Sequence, residues 1–235
     1  MTDSALRELA DDPSSRKRFF KMLGGAGAVS AATVILAACG DDDDDASSSG
    51  SSGSDTTADT ADKDNEGDLK VLNYALTLEF LEADFYKQVI ASGLVKDAKV
   101  ATIAKKFGST EQEHVDALIA TIKKLGGKPV DAPATNFGPT LDKGLMAVLE
   151  TAADVENLGA AAYLGQAGNI KSKEVLAAAL AIHSVEARHA AALNILVGRG
   201  FGDGKGGLSG ALPDGAFAKP MDDTAVLAAV KPFLA

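Results

Sequence analysis

From residue 69 onward, apolar side chains recur at every third or fourth position rather than every second. That is the spacing of a helix with one buried face. Four long runs keep this period and predict helices over roughly 68–91, 97–125, 142–166 and 171–198, with a shorter one near 223–233 in an otherwise irregular, Gly-rich tail. Almost no alternating run is longer than about four residues, so strands are not expected. Ser92-Gly93 and Gly126-Gly127 stop the first two helices. Gly108 interrupts the second run, but the stripe continues past it, which predicts one continuous helix with a weak point there. Pro129, Pro133 and Pro139 exclude helix from 126–141. Extended, that segment reaches ~50 Å, enough to travel the ~38 Å of a helix of about 25 residues. The fold class expected is all-α: a four-helix bundle with a long crossover between helices two and three.

The first 68 residues do not join this pattern. A basic patch, Arg16-Lys-Arg-Phe-Phe-Lys21, precedes a short apolar run from Met22 to Ala38, the order of a signal peptide. The patch resembles a twin-arginine signal with Lys17 where the second arginine usually stands. Leu36-Ala-Ala-Cys39 resembles a lipoprotein cleavage box, and Cys39 is the only cysteine in the chain. Residues 1–38 are therefore expected to be removed on export, and Cys39 to carry a lipid that holds the protein to the membrane surface of the cell envelope. Residues 39–68 are Asp, Ser, Gly and Thr with few apolar side chains, and read as a disordered tether. Residues 69–235 remain as one folded domain.

Charge changes the picture only by its location. The formal net charge is −10, but residues 40–68 hold eleven acidic residues and one lysine, and residues 1–38 carry +1, leaving −1 on the domain. The acidity belongs to the tether, so it says nothing about a substrate-steering surface. The domain has no basic patch for nucleic acid, and no such partner is expected.

The candidate chemistry lies inside the helical stripes. Glu186 and His189 fall on the apolar face of Ile182, Leu193 and Leu196, where core residues belong. Glu-x-x-His on an inward face lets one helix offer an oxygen and a nitrogen ligand to a divalent metal. The motif occurs twice: Glu111-Gln-Glu-His114 matches Glu186-Ala-Arg-His189 at an offset of 75. Upstream, Val71, Leu72, Ala75, Glu79, Ala83 and Tyr86 match Val148, Leu149, Ala152, Glu156, Ala160 and Tyr163 at an offset of 77. Each half is then a helix with one inward Glu followed by a helix with Glu-x-x-His. Packed with approximate two-fold symmetry, the halves bring Glu79, Glu111, His114, Glu156, Glu186 and His189 to one point. Four buried carboxylates with two imidazoles leave negative charge that two divalent cations neutralise. The competing reading is a bundle tied together by buried Glu–His ion pairs.

Other residues stand beside this set. Glu82, one turn from Glu79, is expected at the pocket edge rather than as a ligand. Tyr86 and Tyr163 either donate hydrogen bonds to the site or are ordinary core residues. His183 breaks the repeat and reads as a packing residue or a supporting partner of the site. Glu113 and Asp116 lie off the stripe and should be solvated.

The stretches Leu72-Asn-Tyr-Ala-Leu-Thr-Leu-Glu-Phe-Leu-Glu-Ala-Asp-Phe-Tyr86 and Glu186-Ala-Arg-His-Ala-Ala-Ala-Leu193 resemble the first and fourth helices of the ferritin-like di-metal carboxylate bundles, within them the exported desiccation-related subgroup. The resemblance covers residues 69 to about 230. It implies that the six residues hold two metal ions, with Glu111 and Glu186 bridging. Iron is the first expectation, with manganese and zinc also suited to such ligands. The resemblance suggests stress protection and does not supply an activity. Two bridged metals with open positions suit redox chemistry with a small oxidant such as oxygen or peroxide; a structural or storage metal site is the alternative, and the sequence leaves a homo-oligomer open. Several ferritin-like oxidases place an acidic residue just before each Glu-x-x-His to orient the opposite histidine. Thr110 and Val185 stand there in this chain.

Overall fold

The computed structural model describes residues 56–201, 210–213 and 215–235, with side chains from residue 65 onward. The expected signal segment 1–38, Cys39 and the tether up to residue 55 lie outside the described residues. Six α-helices are described: α1 (Thr56–Ser92), α2 (Ala98–Lys124), α3 (Gly138–Leu141), α4 (Leu145–Gln166), α5 (Lys173–Leu196) and α6 (Asp223–Val230), with short 3-10 turns at Ala167–Asn169 and Lys231–Phe233. The four long ones are the four expected, and α2 runs unbroken through Gly108. Among the described residues there is no strand, only isolated bridges at Thr135–Leu234 and Phe201–Leu212. No helix among them is long and apolar enough to cross a membrane.

Two boundaries differ from the sequence expectation. The tether was expected to reach residue 68, but α1 begins at Thr56. Asp68 is buried and accepts hydrogen bonds from the Lys171 and Ser172 amides at 2.7 and 2.8 Å, just ahead of α5. Asn65 donates to the Leu125 carbonyl at the end of α2. These polar residues look like linker in composition, yet they satisfy the free ends of two neighbouring helices. Once α1 is anchored there, extending it upstream adds one hydrogen bond per residue fixed. The second difference is α3, one helical turn inside a segment whose prolines were expected to exclude helix. Pro139 lies in its first turn, where the missing amide has no helical partner to lose.

The helix directions follow from which residues meet. Gly127 lies against Leu69 and Gly108 against Tyr86, so α1 and α2 run antiparallel. A Cβ at Gly108 would lie 2.8 Å from the Tyr86 Cβ, so the glycine that looked like a weak point is what lets the two helices touch. Asn157 and Asn194 exchange side-chain hydrogen bonds, and Asp154 pairs with Arg199, so α4 and α5 are antiparallel as well. Between α2 and α4 the chain travels back along α1. Val130 bonds Asn73 near one end of this path, and Thr135 bonds Asp84 and Gln88 near the other. Gly126, at φ 78°, starts the reversal in a backbone region that other residues rarely adopt.

Two apolar clusters fill the bundle. Leu72, Leu76, Val115, Leu118, Ile122, Val175 and Ile182 pack on one side of Glu79. Leu81, Phe85, Val89, Val148, Val155 and Leu193 pack on the other, with Val226 and Val230 of α6. The C-terminal segment closes over the crossover: Phe233 stacks on Phe137 at 5.2 Å, and Asn136 and Ala235 pair by backbone with Phe233 and Ala134.

Asp68→Ala removes both bonds to the start of α5 while leaving the helical propensity of α1 intact. It is expected to lower unfolding stability by about 1–2 kcal/mol, read from urea denaturation with an unchanged m-value. A variant as stable as the parent would return Asp68 to the tether.

Candidate metal centre

Each long helix turns acidic or imidazole side chains inward at the same level. Glu79 comes from α1, Glu111 and His114 from α2, Glu156 from α4, and Glu186 and His189 from α5. The four carboxylates are fully buried, and the two imidazoles are nearly so. His114 Nδ1 lies 3.2 Å from Glu79 Oε2, 2.9 Å from Glu111 Oε2 and 3.0 Å from Glu186 Oε1. His189 Nδ1 lies 2.9 Å from Glu111 Oε1 and 3.2 Å from Glu156 Oε2. The six residues predicted from the repeat thus meet at one point. They form two overlapping groups, Glu79–Glu111–His114–Glu186 and Glu111–Glu156–Glu186–His189, each with its ligand atoms within 4.8 Å of one another. Glu111 and Glu186 belong to both.

The tyrosines are tied across the halves. Tyr163 donates from α4 to Glu79 Oε1 at 2.6 Å, and Tyr86 donates from α1 to Glu156 Oε1. Each phenol fixes the far oxygen of the opposite carboxylate and leaves Oε2 facing an imidazole. His183 is not brought to the centre; its Nδ1 meets the Ala160 carbonyl at 2.9 Å. Asp116 is exposed and Glu113 half-buried. Thr110 turns its hydroxyl back to the Lys106 carbonyl. Glu82, placed by the pattern at the pocket edge, is buried as deeply as the ligand candidates are.

Two features escaped the pattern. Phe107 stacks on His189 with centroids 3.7 Å apart; its place on an apolar stripe hid a contact that only the opposite helix reveals. Gly159 lies beside Glu82 and Glu186. The repeat carried a signal for it, because Gly159 is the counterpart of Glu82 at the offset of 77.

The hydrogen-bond supply of the centre is short. One ring nitrogen donates one bond, yet three carboxylates surround His114 Nδ1 and two surround His189 Nδ1. Glu111 Oε1 and both oxygens of Glu186 are buried without a properly oriented donor. Buried carboxylate oxygens left this way cost several kcal/mol. A divalent cation meets the deficit, since it takes lone pairs from oxygen and from a neutral imidazole together. The donor set, three carboxylates and one imidazole in each group, suits iron, manganese or zinc. These residues could therefore hold metal ions.

Without metal the same groups share protons. Burial pushes Glu79, Glu156 and Glu186 above the ordinary carboxylate range, and for Glu186 the neighbouring Glu111 and Glu156 add to it. Burial also opposes ionisation of Glu111, but the His114 and His189 imidazoles beside it outweigh that and hold its carboxyl at about 2. Burial opposes the cationic imidazoles too, yet the acids around them raise His114 well above its usual value and His189 to about 9.

The sequence model of a family described as a ferritin-like domain matches residues 67–199. No curated protein matches the chain.

His189 has a folded pKa raised above the unfolded value of about 6.5, so its contribution to stability is complete below that pH and fades as the pH rises through about 9. His114 shifts in the same direction. The metal-free protein is therefore expected to lose melting temperature between pH 6.5 and 9, on the order of a few kcal/mol of stability. Calorimetry in the presence of a chelator checks this; a flat or rising profile would contradict the ion-pair arrangement.

Proposed function

Because the chain belongs to the ferritin-like domain family, we propose that it is a two-metal carboxylate protein whose centre, loaded with iron or manganese, performs redox chemistry on oxygen or peroxide. The observation that carries this reading is the pair of overlapping donor groups sharing Glu111 and Glu186. Glu79, Glu111, His114, Glu156, Glu186 and His189 would hold two metal ions side by side, and such a pair would supply redox chemistry toward a small oxidant. The protein's own part is to hold the ligand atoms in place. Tyr86 and Tyr163 pin the carboxylates of Glu156 and Glu79. His114 and His189 give up their Nδ1 protons when they ligate, so binding releases protons and tightens as the pH rises.

Burial supports a small oxidant. The ligand candidates sit beneath packed side chains, and an apolar cavity of about 20 Å³ has Tyr86 in its wall. That is room for about one water-sized molecule. On this reading the lipid expected at Cys39 places the activity at the membrane surface of the cell envelope, in a stress-protective role. The second reading, a structural or storage metal site, is favoured by Thr110 and Val185: neither supplies the acid that orients the opposite histidine in several ferritin-like oxidases. Such outer partners tune metal reactivity more than they create binding.

Elemental analysis of the full chain, expressed with iron or with manganese, is expected to give about two ions per chain. In a Glu79→Ala, Glu156→Ala double variant the content should fall below about half of one. Consumption of peroxide or oxygen by the loaded protein separates the redox reading from the structural one. A folded parent without bound metal would sink both.

A further inference from the structure

Among the inward acids and phenols of the two hairpins, the repeat breaks at one position. Glu79 corresponds to Glu156 and Tyr86 to Tyr163, but Glu82 corresponds to Gly159. Glu82 is 2% exposed and, with Gly159, lines a small cavity between α1 and α4. A Cβ built on Gly159 would lie 2.8 Å from Glu82 Oε1 and 3.4 Å from Glu186 Oε2. The two carboxylates thus converge on the notch that the glycine leaves, and even alanine would push against Glu82. Both halves of this arrangement are unfavourable by themselves. Glycine inside a helix costs about 1 kcal/mol relative to alanine, and a buried carboxylate beside another costs several. Glu186 Oε2, on the same notch, lacks a donor. A positive charge at the convergence offsets all of these costs together.

We propose that Glu82 is a further metal-binding carboxylate, acting with Glu186 over the Gly159 notch, and that it makes the two metal positions of the pseudo-symmetric centre unequal. The proposal rests on the two-metal reading. It assigns Gly159 a purpose as well: the residue is small so that a fifth carboxylate can enter from the other hairpin. The four other acids of the centre balance two divalent cations, so the additional oxygens of Glu82 weigh on one side of the pair only.

The test is an anaerobic titration of the full chain with Co(II) alone, followed by calorimetry and by visible absorption. Wild type, Glu82→Gln and Gly159→Ala are compared. Two binding steps of unequal affinity are expected in the wild type. In Glu82→Gln one step should weaken by about tenfold or more while the other changes less than about threefold. The cobalt bands of the weakened step should gain intensity as its coordination number falls. Gly159→Ala, which displaces the carboxylate without removing it, should weaken the same step. Circular dichroism establishes that each variant is folded; if Gly159→Ala is not, Glu82→Gln decides alone. A glutamine variant within about twofold of wild type at both steps overturns the proposal, because it means that Glu82 serves as a neutral hydrogen-bonding group that an amide replaces. Equal weakening of both steps overturns it too. A folded wild type that binds no cobalt sinks the two-metal reading and this inference with it, whereas two bound ions indifferent to Glu82 sink this inference alone.

Discussion

Five carboxylates and two imidazoles occupy the middle of a helical bundle, at a level where other bundles place leucine and valine. Their mutual repulsion and lost hydration oppose folding, and the two ring nitrogens that face them cannot satisfy them all. The rest of the architecture serves to hold these groups together nonetheless. Apolar clusters close the bundle on both sides of the charged layer. Phenols reach from one hairpin to acids of the other. Small residues, Ala75, Ala152, Gly159 and Ala160, surround the centre and leave volume for groups that approach one another. Buried ion networks of this kind are poor sources of stability compared with packed apolar residues. Their presence here therefore argues for ligand binding rather than for strength.

Topology follows from the same demand. Two similar hairpins can present their acids to a common point only if the second enters in the right sense, and a short link between α2 and α4 would reverse it. The chain instead returns along α1, held by Asn73, Asp84 and Gln88. The tail then seals the return path through the ring of Phe233 on Phe137 and the backbone pairing around Asn136. Met221 lies so close to Gly165 of α4 that a Cβ there would meet its carbonyl oxygen at 2.0 Å. The tail is thus part of the packing and not an appendage to it.

Most of this was legible in the sequence because it is periodic. The four long helices, the crossover and the six convergent residues all follow from apolar spacing and from a repeat that places like residues at like depths. What the pattern could not carry were contacts between elements. Asp68 and Asn65 read as tether because their composition is that of a linker; only the helix ends they meet show otherwise. Gly108 read as a defect because its neighbour, Tyr86, lies on another helix. Glu82 was placed at an edge because one turn of helix rotates it partly off the stripe, whereas the glycine opposite draws it into the centre. Pro139 excludes helix by residue type alone, whereas the first turn of α3 tolerates it.

The face of Phe107 over the His189 ring, 3.7 Å away and tilted by 20°, has no aromatic counterpart in the other half, where Ile182 stands at the matching position. Two imidazoles with nearly the same chemical surroundings thereby differ in their magnetic ones. The circulating electrons of the phenyl ring shield the His189 ring protons, and no described phenyl ring stacks on His114 in the same way. The two histidines are distinguishable by proton resonance in the unaltered chain, so each half of a nearly symmetric centre can be followed on its own.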